Sequence, residues 1–239
     1  MILRFIFAGR RFFTRFFPQN RERRTFWLAV PAALIACSIA ALWVVPPPAL
    51  DRSRSASVLV LAADGSILRG FLTGDGKWRL PVEPEAVDPL YRRMLIAAED
   101  RRFAWHPGVD PIAAARAFFQ LGLSGHIVSG ASTLTMQAVR LLEPHPRSLV
   151  AKLAEMVRAL ALERLSSKQE VLGLYLTLAP YGGNLEGVRA ASLAYFGKEP
   201  ARLSAAEAKL EESTRGGDRI DTRMPRKTAV LGRDQHAPV

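Results

Sequence analysis

Apolar and polar positions follow two different patterns along the chain, and each pattern predicts a different kind of structure. Residues 57–72 place two runs of apolar and β-branched residues around Asp64-Gly65, a dipeptide that tolerates the positive φ of tight hairpin turns. Beyond Leu80 the apolar positions recur at helical spacing instead. The sequence therefore predicts a mainly α-helical domain with a small β-hairpin at its N-terminal end.

Capping signals predict where helices begin. Asp88-Pro89 and Asp110-Pro111 each combine an N-cap residue with a proline at the first helical position. Ser167–Glu170 and Ser204–Glu207 have the residue spacing of a capping box. We therefore expect a helix to begin at each of these positions.

Glycines and prolines predict where helices end. The first helix is expected to end close to Glu99, and the glycines within residues 122–130 indicate a loop before a helix over residues 133–142. Two prolines follow that helix and end it, and a further helix is predicted over residues 147–165. A later helix is expected to end at Gly197, because glycine is the usual residue after a helix C-terminus.

A long apolar run precedes the domain. Residues 26–45 carry no charge, and a helix of about 20 residues crosses a hydrocarbon core of about 30 Å. Seven arginines and a single acid come before the run, and such cationic flanks remain in the cytoplasm. We therefore predict a cytoplasmic basic arm over residues 1–25, a transmembrane helix over 26–45 and a periplasmic domain held at the inner membrane. The alternative, a cleaved signal peptide, is disfavoured by the length of the arm and the run.

Charge and cysteine content narrow the class of protein. The net charge of +11 suits an anionic membrane or an anionic lipid-linked substrate as well as nucleic acid. No motif for nucleic-acid binding is present outside the basic arm, so we expect no nucleic-acid partner. The single Cys37 excludes an intrachain disulfide, and no metalloprotease or phosphate-loop motif is present. The proline-rich and polar residues 46–56 are predicted to be a linker.

Two acidic residues at the end of the first predicted helix are candidates for catalysis. Glu99 and Asp100 stand where the helix dipole disfavours negative charge and favours a carboxylate that takes up a proton. Alternatively, Arg101 and Arg102 neutralise both acids. For His106, the simplest interpretation is a packed turn in which its ring binds a backbone carbonyl.

Two further segments carry polar or charged side chains at positions where they could bind a ligand. Gly130–Gln137 is a glycine loop that leads into a helix, where free N–H groups and hydroxyls favour an anion. The alternative is an ordinary N-cap without a ligand. Lys152, Glu155 and Arg158 lie three residues apart on one helical face, a spacing that is also typical of a solvated row of ion pairs.

The order and spacing of these segments resemble a known family more than any one of them does. The motif E-D-x-x-F-x-x-H-x-G is matched in full by residues 99–108, and G-x-S-T-x-T-Q-Q by residues 130–137 with Met136 at the first glutamine. R-K-x-x-E is matched by residues 151–155 with Ala151 in place of the arginine. K-x-x-I-L-E-x-Y-L-N is matched by residues 168–177, with Val171, Gly173 and Thr177 in place of the isoleucine, the glutamate and the asparagine. Residues 57–210 thus resemble the glycosyltransferase family 51 domain of class A penicillin-binding proteins, closest to the 1C type.

The resemblance implies a lysozyme-like helical domain that polymerises lipid II and releases undecaprenyl diphosphate. Glu99 would be the general base for the acceptor hydroxyl, and Glu155 a second catalytic carboxylate on the donor side. No cofactor is required, although a divalent cation, Mg²⁺ or Mn²⁺, is compatible with the diphosphate. The implied partners are lipid II, the growing lipid-linked glycan, the inner membrane and other cell wall synthesis proteins. The residues implied in substrate binding are Asp100, Ser132, Thr133, Gln137, Arg140, Arg147 and Lys152.

The resemblance stops after Leu210. Residues 211–239 are polar, basic and without periodicity, so we expect a disordered tail, a domain that is incomplete at its C-terminus and no covalent labelling by β-lactams. Two other functions stay open at this point. One is an inactive membrane-anchored remnant that binds lipid II or glycan, and the other is a lysozyme-like glycan hydrolase, because two carboxylates on a helical fold also suit glycoside cleavage.

Overall fold

The computed structural model describes residues 45–124, 132–146 and 148–214, without the side chains of 118–124 and 210–214. The predicted basic arm, transmembrane helix, glycine loop around Gly125 and Gly130, Arg147 and nearly all of the tail lie outside the described residues. Of the helices that are described, none is both long and apolar enough to cross a membrane.

Eight α-helices and four short strands make up the part of the chain that the structure describes, and the prediction of a mainly helical domain is confirmed. The strands are β1 (Val58–Leu61), β2 (Ile67–Phe71), β3 (Trp78–Arg79) and β4 (Leu185–Glu186). The helices are α1 (Asp51–Arg54), α2 (Pro89–Glu99), α3 (Pro111–Ser124), α4 (Leu134–Leu142), α5 (Leu149–Leu165), α6 (Lys168–Leu178), α7 (Val188–Phe196) and α8 (Ala205–Thr214). Single 3₁₀ turns cover Pro84–Ala86 and Pro200–Arg202.

The predicted hairpin is confirmed. Strands β1 and β2 pair antiparallel around a turn in which Gly65 has φ +82°. The face that carries Leu59 and Gly70 packs on Trp78, and a Cβ at Gly70 would lie 2.5 Å from the Trp78 ring. The opposite face, which includes Val58 and Phe71, is exposed.

A second sheet is formed by β3 and β4, which pair in parallel. The sequence did not predict it, because strands of two residues are too short to carry a periodic pattern. Arg79 of β3 is fully buried, and its guanidinium donates to Glu186 of β4 at 2.6 Å and to Asp75 at 2.8 Å. This buried ion pair joins β3, which follows the N-terminal hairpin, to β4, which precedes α7.

Residues 46–56 are more than the predicted linker. Pro48 is buried, Leu50 packs against the main core, and residues 51–54 form α1. Arg79 donates to the carbonyl oxygens of Arg52 and Ser55, each at 3.0 Å. The prediction is corrected in this respect, since backbone acceptors in the polar segment satisfy a buried guanidinium.

Helix α4 lies at the centre of the main core. It packs against α5 and α6, and Leu134, Met136 and Val139 are almost completely buried. Tyr91 and Leu95 on α2 complete the same core, and α2 also packs against α8. Helix α8 extends to Thr214, beyond the boundary that we predicted at Leu210.

The predicted helix caps are present. Asp88 accepts the N–H groups of Leu90 and Tyr91 at the start of α2, and Asp110 accepts those of Ile112 and Ala113 at the start of α3. The capping box at Ser167 and Glu170 opens α6. Gly197 ends α7 in the left-handed conformation with φ +66°. The caps at Asp88, Asp110 and Ser167 fix the starts of α2, α3 and α6, which contribute residues to the candidate site.

Candidate functional site

Glu99 is the last residue of α2, as predicted, and a side chain from α4 contacts it. Gln137 Nε2 donates to Glu99 Oε2 at 2.6 Å. Gln137 Oε1 in turn accepts a hydrogen bond of 3.3 Å from the Tyr175 hydroxyl on α6. Two residues from separate helices therefore orient the candidate base.

Asp100 is buried directly beneath the site. Its carboxylate lies 3.0 and 3.1 Å from His106 Nε2 and accepts the N–H of Leu134 at 3.0 Å. We expected the ring of His106 to bind a backbone carbonyl, and this is corrected because its partner is a carboxylate. The sequence left open whether the N-terminus of α4 binds an anion or is an ordinary N-cap without a ligand. That position is taken by Asp100, so this carboxylate holds the end of α2 to the start of α4.

Thr133 completes the start of α4. Its hydroxyl oxygen accepts the N–H of Met136 at 3.1 Å and donates to the carbonyl of Gly108 at 2.5 Å. Gly108 has φ +92°, and a Cβ there would lie 2.7 Å from the carbonyl oxygen of Ala159 on α5. The glycine of the first motif is therefore required by both its conformation and the close approach of α5. Thr133, predicted to bind substrate, has an N-cap role in this structure.

Lys168 joins the first and fourth motifs. Its ammonium donates to the carbonyl of His106 at 2.6 Å and to Glu163 at 2.7 Å. It also lies 4.5 Å from the centre of the Phe103 ring, a cation–π contact. The turn after Asp100 is thus fixed to the start of α6.

Arg102 pairs with Asp110. Its Nε and Nη2 atoms donate to Asp110 Oδ2 at 2.8 and 2.5 Å. Burial acts to raise the pKa of Asp110, but the N–H of Ala113 and the Arg102 guanidinium outweigh it and hold the pKa below its ordinary value. One of the two arginines that we considered as neutralising Glu99 and Asp100 therefore stabilises the start of α3.

Glu155 is the centre of a second, cationic cluster. It is only 1% exposed, and Arg140 donates to its two oxygens through Nε and Nη2, each at 3.0 Å. Lys152 Nζ lies 2.7 Å from Glu155 Oε1 and 2.6 Å from the hydroxyl of Ser132. Because Glu155 is buried, it does not belong to the solvated row of ion pairs that its spacing also allowed. Arg158 contacts Glu143 instead. Four of the predicted site residues therefore meet at one place.

The two cations of this cluster are held in close proximity. Burial lowers the pKa of Lys152, Arg140 lowers it further, and Glu155 offsets part of both effects. Removing Glu155 would therefore leave two neighbouring cations without their shared counter-ion.

His145 also faces Glu155, which the sequence did not predict. It lies between α4 and α5, and its Nε2 atom is 3.5 Å from Glu155 Oε2. Nothing in the spacing of the histidines indicated this contact, because it depends on how the connection between the two helices folds back.

A cleft of about 320 Å³ opens beside Glu99. Its lining includes Arg101, Arg116 and Ser132 in addition to Glu99. Ser132 also accepts the hydrogen bond from Lys152, so the cleft and the cationic cluster share a residue. Of the predicted site residues, only Arg147 lies outside the described part of the chain.

Three residues among those described could offer donor atoms to a metal ion. One atom each of Asp100, His106 and Asp110 lie within 4.8 Å of one another. Arg102 already pairs with Asp110, and His106 and the N–H of Leu134 already bind Asp100. The carboxylates of Asp100 and Asp110 are already engaged by hydrogen bonds within the protein, so we assign this group to the structural turn.

Comparison with known proteins identifies relatives over most of the described domain. Residues 64–213 match the family model described as transglycosylase. Penicillin-binding protein 1C of Escherichia coli K12 is 46% identical over 198 residues, which is 81% of this chain and 25% of that protein. The biosynthetic peptidoglycan transglycosylase of Rhizobium meliloti 1021 is 31% identical over 204 residues, 85% of this chain and 81% of that protein. This chain therefore spans about a quarter of the first relative and most of the second.

Proposed function

The chain belongs to the transglycosylase family, and we propose that it polymerises lipid II into peptidoglycan glycan strands with release of undecaprenyl diphosphate. The observation that carries the proposal is the pairing of an oriented carboxylate, Glu99, with a cationic cluster around Glu155 that shares Ser132 with the same cleft. One part suits deprotonation of an acceptor, and the other suits binding of an anionic leaving group.

Glu99 is the general base of the proposed reaction. The 4-hydroxyl of the acceptor GlcNAc attacks C1 of the donor MurNAc, and its proton passes to the Glu99 carboxylate. The hydrogen bond from Gln137 Nε2 fixes the orientation of the Glu99 carboxylate at the end of α2. A base must lie within hydrogen-bond reach of the proton that it removes, so this orientation is the first requirement of the step.

The Glu155 cluster holds the leaving group. As the bond between C1 and the diphosphate oxygen breaks, the electron pair and the negative charge go to the diphosphate. Arg140 and Lys152 supply cationic donors for that charge, and the hydroxyl of Ser132 adds a neutral one. Because Glu155 already binds both cations, its role is to orient them rather than to take up a proton. Asp100 and Thr133 support this arrangement by fixing α2 and α4.

We further propose that residues 26–45 anchor the chain in the inner membrane with the domain in the periplasm. The support is the uncharged run and the arginine excess before it. A tethered enzyme meets a substrate that is held in the same membrane far more often than a free one does. A reporter fused after Asp51 tests the orientation, and activity of the reporter in the cytoplasm alone would contradict it.

Polymerisation of lipid II by the purified chain tests the proposed activity, with moenomycin binding measured on the same preparation. We expect glycan strands that disappear when moenomycin, a mimic of the lipid-linked donor, is added. Moenomycin binding without polymerisation would instead indicate a non-catalytic protein that binds lipid-linked glycan. Cleavage of finished glycan strands would indicate a hydrolase.

A further inference from the structure

A second cavity opens beneath the tip of the β1–β2 hairpin, residues 61–67. Its volume is about 830 Å³, against about 320 Å³ for the cleft beside Glu99, and the two share no lining residue. One wall is the turn end of the hairpin, and the other is the end of α7 together with the chain that follows it. Ligand cavities typically occupy about 300–1,000 Å³, so this one is large enough to hold a small molecule.

The hairpin packs on the domain at its base and not at its tip. Leu59 contacts the small core around Trp78, whereas Leu61, nearer the turn, is 53% exposed. Ile67 is the cross-strand partner of Leu61 and lines the same cavity, with Leu193 of α7 on the opposite wall. A two-stranded hairpin is marginally stable on its own, and burial of apolar surface is favourable. An apolar molecule between these side chains therefore stabilises the tip.

The mouth of the cavity is cationic. Arg189 donates to both carboxylate oxygens of Glu199, at 2.8 and 2.9 Å, and Lys198 lies 2.8 and 3.1 Å from the two oxygens of Glu207. Each of these pairs is electrically neutral. Arg202 also lines the cavity, and its guanidinium has no hydrogen-bond or ion-pair partner among the residues that the structure describes. The mouth therefore carries one uncompensated positive charge.

The end of α7 opposes this charge only in part. The free carbonyl groups at a helix C-terminus carry about half an elementary negative charge, which favours a cation. The guanidinium of Arg202 carries a full positive charge, and its N–H groups can bind two oxygens of a carboxylate or a phosphate at once. The balance of charge therefore favours a ligand with a single negative charge.

We propose that this cavity binds a single-chain amphiphile with one negative charge, its acyl chain beneath the hairpin tip and its head group on Arg202. A free fatty acid and an anionic lysophospholipid share this chemistry. A bound chain covers Leu61, Ile67 and Leu193 and holds the tip against α7. The site contains none of the residues that we place in catalysis, so it does not rest on the proposed function.

Photo-crosslinking of the intact chain locates the site. A fatty acid with a diazirine in its chain is cross-linked, and the modified peptides are mapped by mass spectrometry. We expect cross-links within residues 58–69 and 188–202 that decanoate prevents. Decyltrimethylammonium has a chain of the same length and the opposite charge, so we expect it to compete much less. Absence of cross-links from these two ranges, or equal competition by both amphiphiles, overturns the proposal.

The same competition identifies the source of the ligand. Lysophosphatidylglycerol, which also has one acyl chain and one negative charge, is compared with decanoate. Competition at a lower concentration by lysophosphatidylglycerol indicates a lysophospholipid, and the reverse order indicates a free fatty acid. Both results support the site.

Matched variants test the two parts of the site, with half-competition concentrations as the measure of affinity. We expect Arg202→Gln to weaken decanoate binding about tenfold, equivalent to about 1.4 kcal/mol, and to leave decanol binding unchanged. Leu61→Gln is expected to weaken the binding of both about threefold, because it removes apolar surface from the contact with the chain. Arg69→Gln and Leu68→Gln are the controls, since they change exposed side chains of the same hairpin that do not line the cavity.

Arg202 and Leu61 are both exposed, so we expect their replacement to leave the fold intact, and thermal unfolding of each variant checks this. Equal affinity for decanoate in Arg202→Gln and Arg69→Gln overturns the role of Arg202 and with it the proposal. A loss of decanol binding in Arg202→Gln as large as the loss of decanoate binding does the same, because it shows an effect on the cavity rather than on the charge.

Discussion

The amide of Gln137 donates a hydrogen bond of 2.6 Å to the carboxylate of Glu99, and so a side chain of α4 fixes the end of α2. Tyr175 contacts the other end of the same amide from α6. The orientation of the proposed base thus depends on the packing of three helices.

Tyr175→Phe removes the hydroxyl that holds Gln137 but keeps the aromatic ring in the core. We expect kcat for lipid II polymerisation to fall about three- to tenfold with little change in KM, because one neutral hydrogen bond contributes about 0.5–1.5 kcal/mol. Tyr195→Phe is the control, since its hydroxyl donates to the carbonyl of Tyr181 away from Glu99. An unchanged kcat for Tyr175→Phe would show that this contact does not orient Glu99.

Glu155→Gln leaves Arg140 and Lys152 side by side without their shared counter-ion. We expect the free energy of unfolding to fall by about 3 kcal/mol, because removing one partner of a buried ion pair is strongly destabilising. Glu143→Gln is the control: it removes a more exposed carboxylate paired with Arg158 and is expected to cost less than about 1 kcal/mol. Chemical denaturation measures both values. Similar losses in the two variants would contradict the central role of Glu155.

Gly108→Ala combines a positive φ with a steric clash. We expect a loss of more than about 2 kcal/mol, because a non-glycine residue at this φ costs about 1–3 kcal/mol and the Cβ also meets Ala159. Gly65→Ala is the matched control, with φ +82° and no atom within 4 Å of the added Cβ. Thermal unfolding of both variants isolates the cost of the clash. Equal decreases in melting temperature for the two variants would mean that α5 moves away from the added Cβ without a cost in free energy.

Asp75 contributes to the stability of the folded protein in a way that depends on pH. The hydroxyl of Thr73 and then the Arg79 guanidinium lower the pKa of Asp75 to about 2. A lowered pKa in the folded state adds stability above the unfolded value, and that stability is lost as the pH falls through about 2. Because the side chain is half exposed, solvent screening limits this contribution to about 1 kcal/mol.

Asp75→Asn therefore should be less stable than the parent by a constant amount from pH 7 down to about pH 4, and the difference should shrink toward pH 2. Thermal unfolding across this pH range measures the difference. A difference that grew as the pH fell would contradict the sign of the effect.

Local signals predicted much of the fold. The caps at Asp88, Asp110 and Ser167 and the glycine at 197 act on residues within one turn of the helix end, so the sequence carries the necessary information. Strands β3 and β4 could not be predicted, because their pairing joins residues that are more than a hundred positions apart. The helices and the β1–β2 hairpin were therefore predicted from local signals, whereas the β3–β4 sheet was not.

The sequence predicted which residues form the candidate site, but not which of them are buried or which side chains they contact. Lys152 and Glu155 have the same spacing in a solvated helix as in a buried one, so the sequence does not show whether Glu155 is buried. The hydrogen bonds from Arg140 on α4 show that it is. The position of Asp100 at the start of α4 and that of His145 beside Glu155 likewise depend on tertiary contacts. The motifs identified the participants, but their arrangement required the structure.

The central claim is that Glu99 removes the proton of the acceptor hydroxyl, and polymerisation of lipid II by Glu99→Gln tests it most directly. An amide keeps the size of the carboxylate but cannot accept the proton, and general-base catalysis contributes about 10²- to 10⁴-fold. We predict a loss of that size, with moenomycin binding and thermal stability nearly unchanged. Polymerisation by Glu99→Gln within about tenfold of the parent rate would contradict the mechanism proposed for this chain.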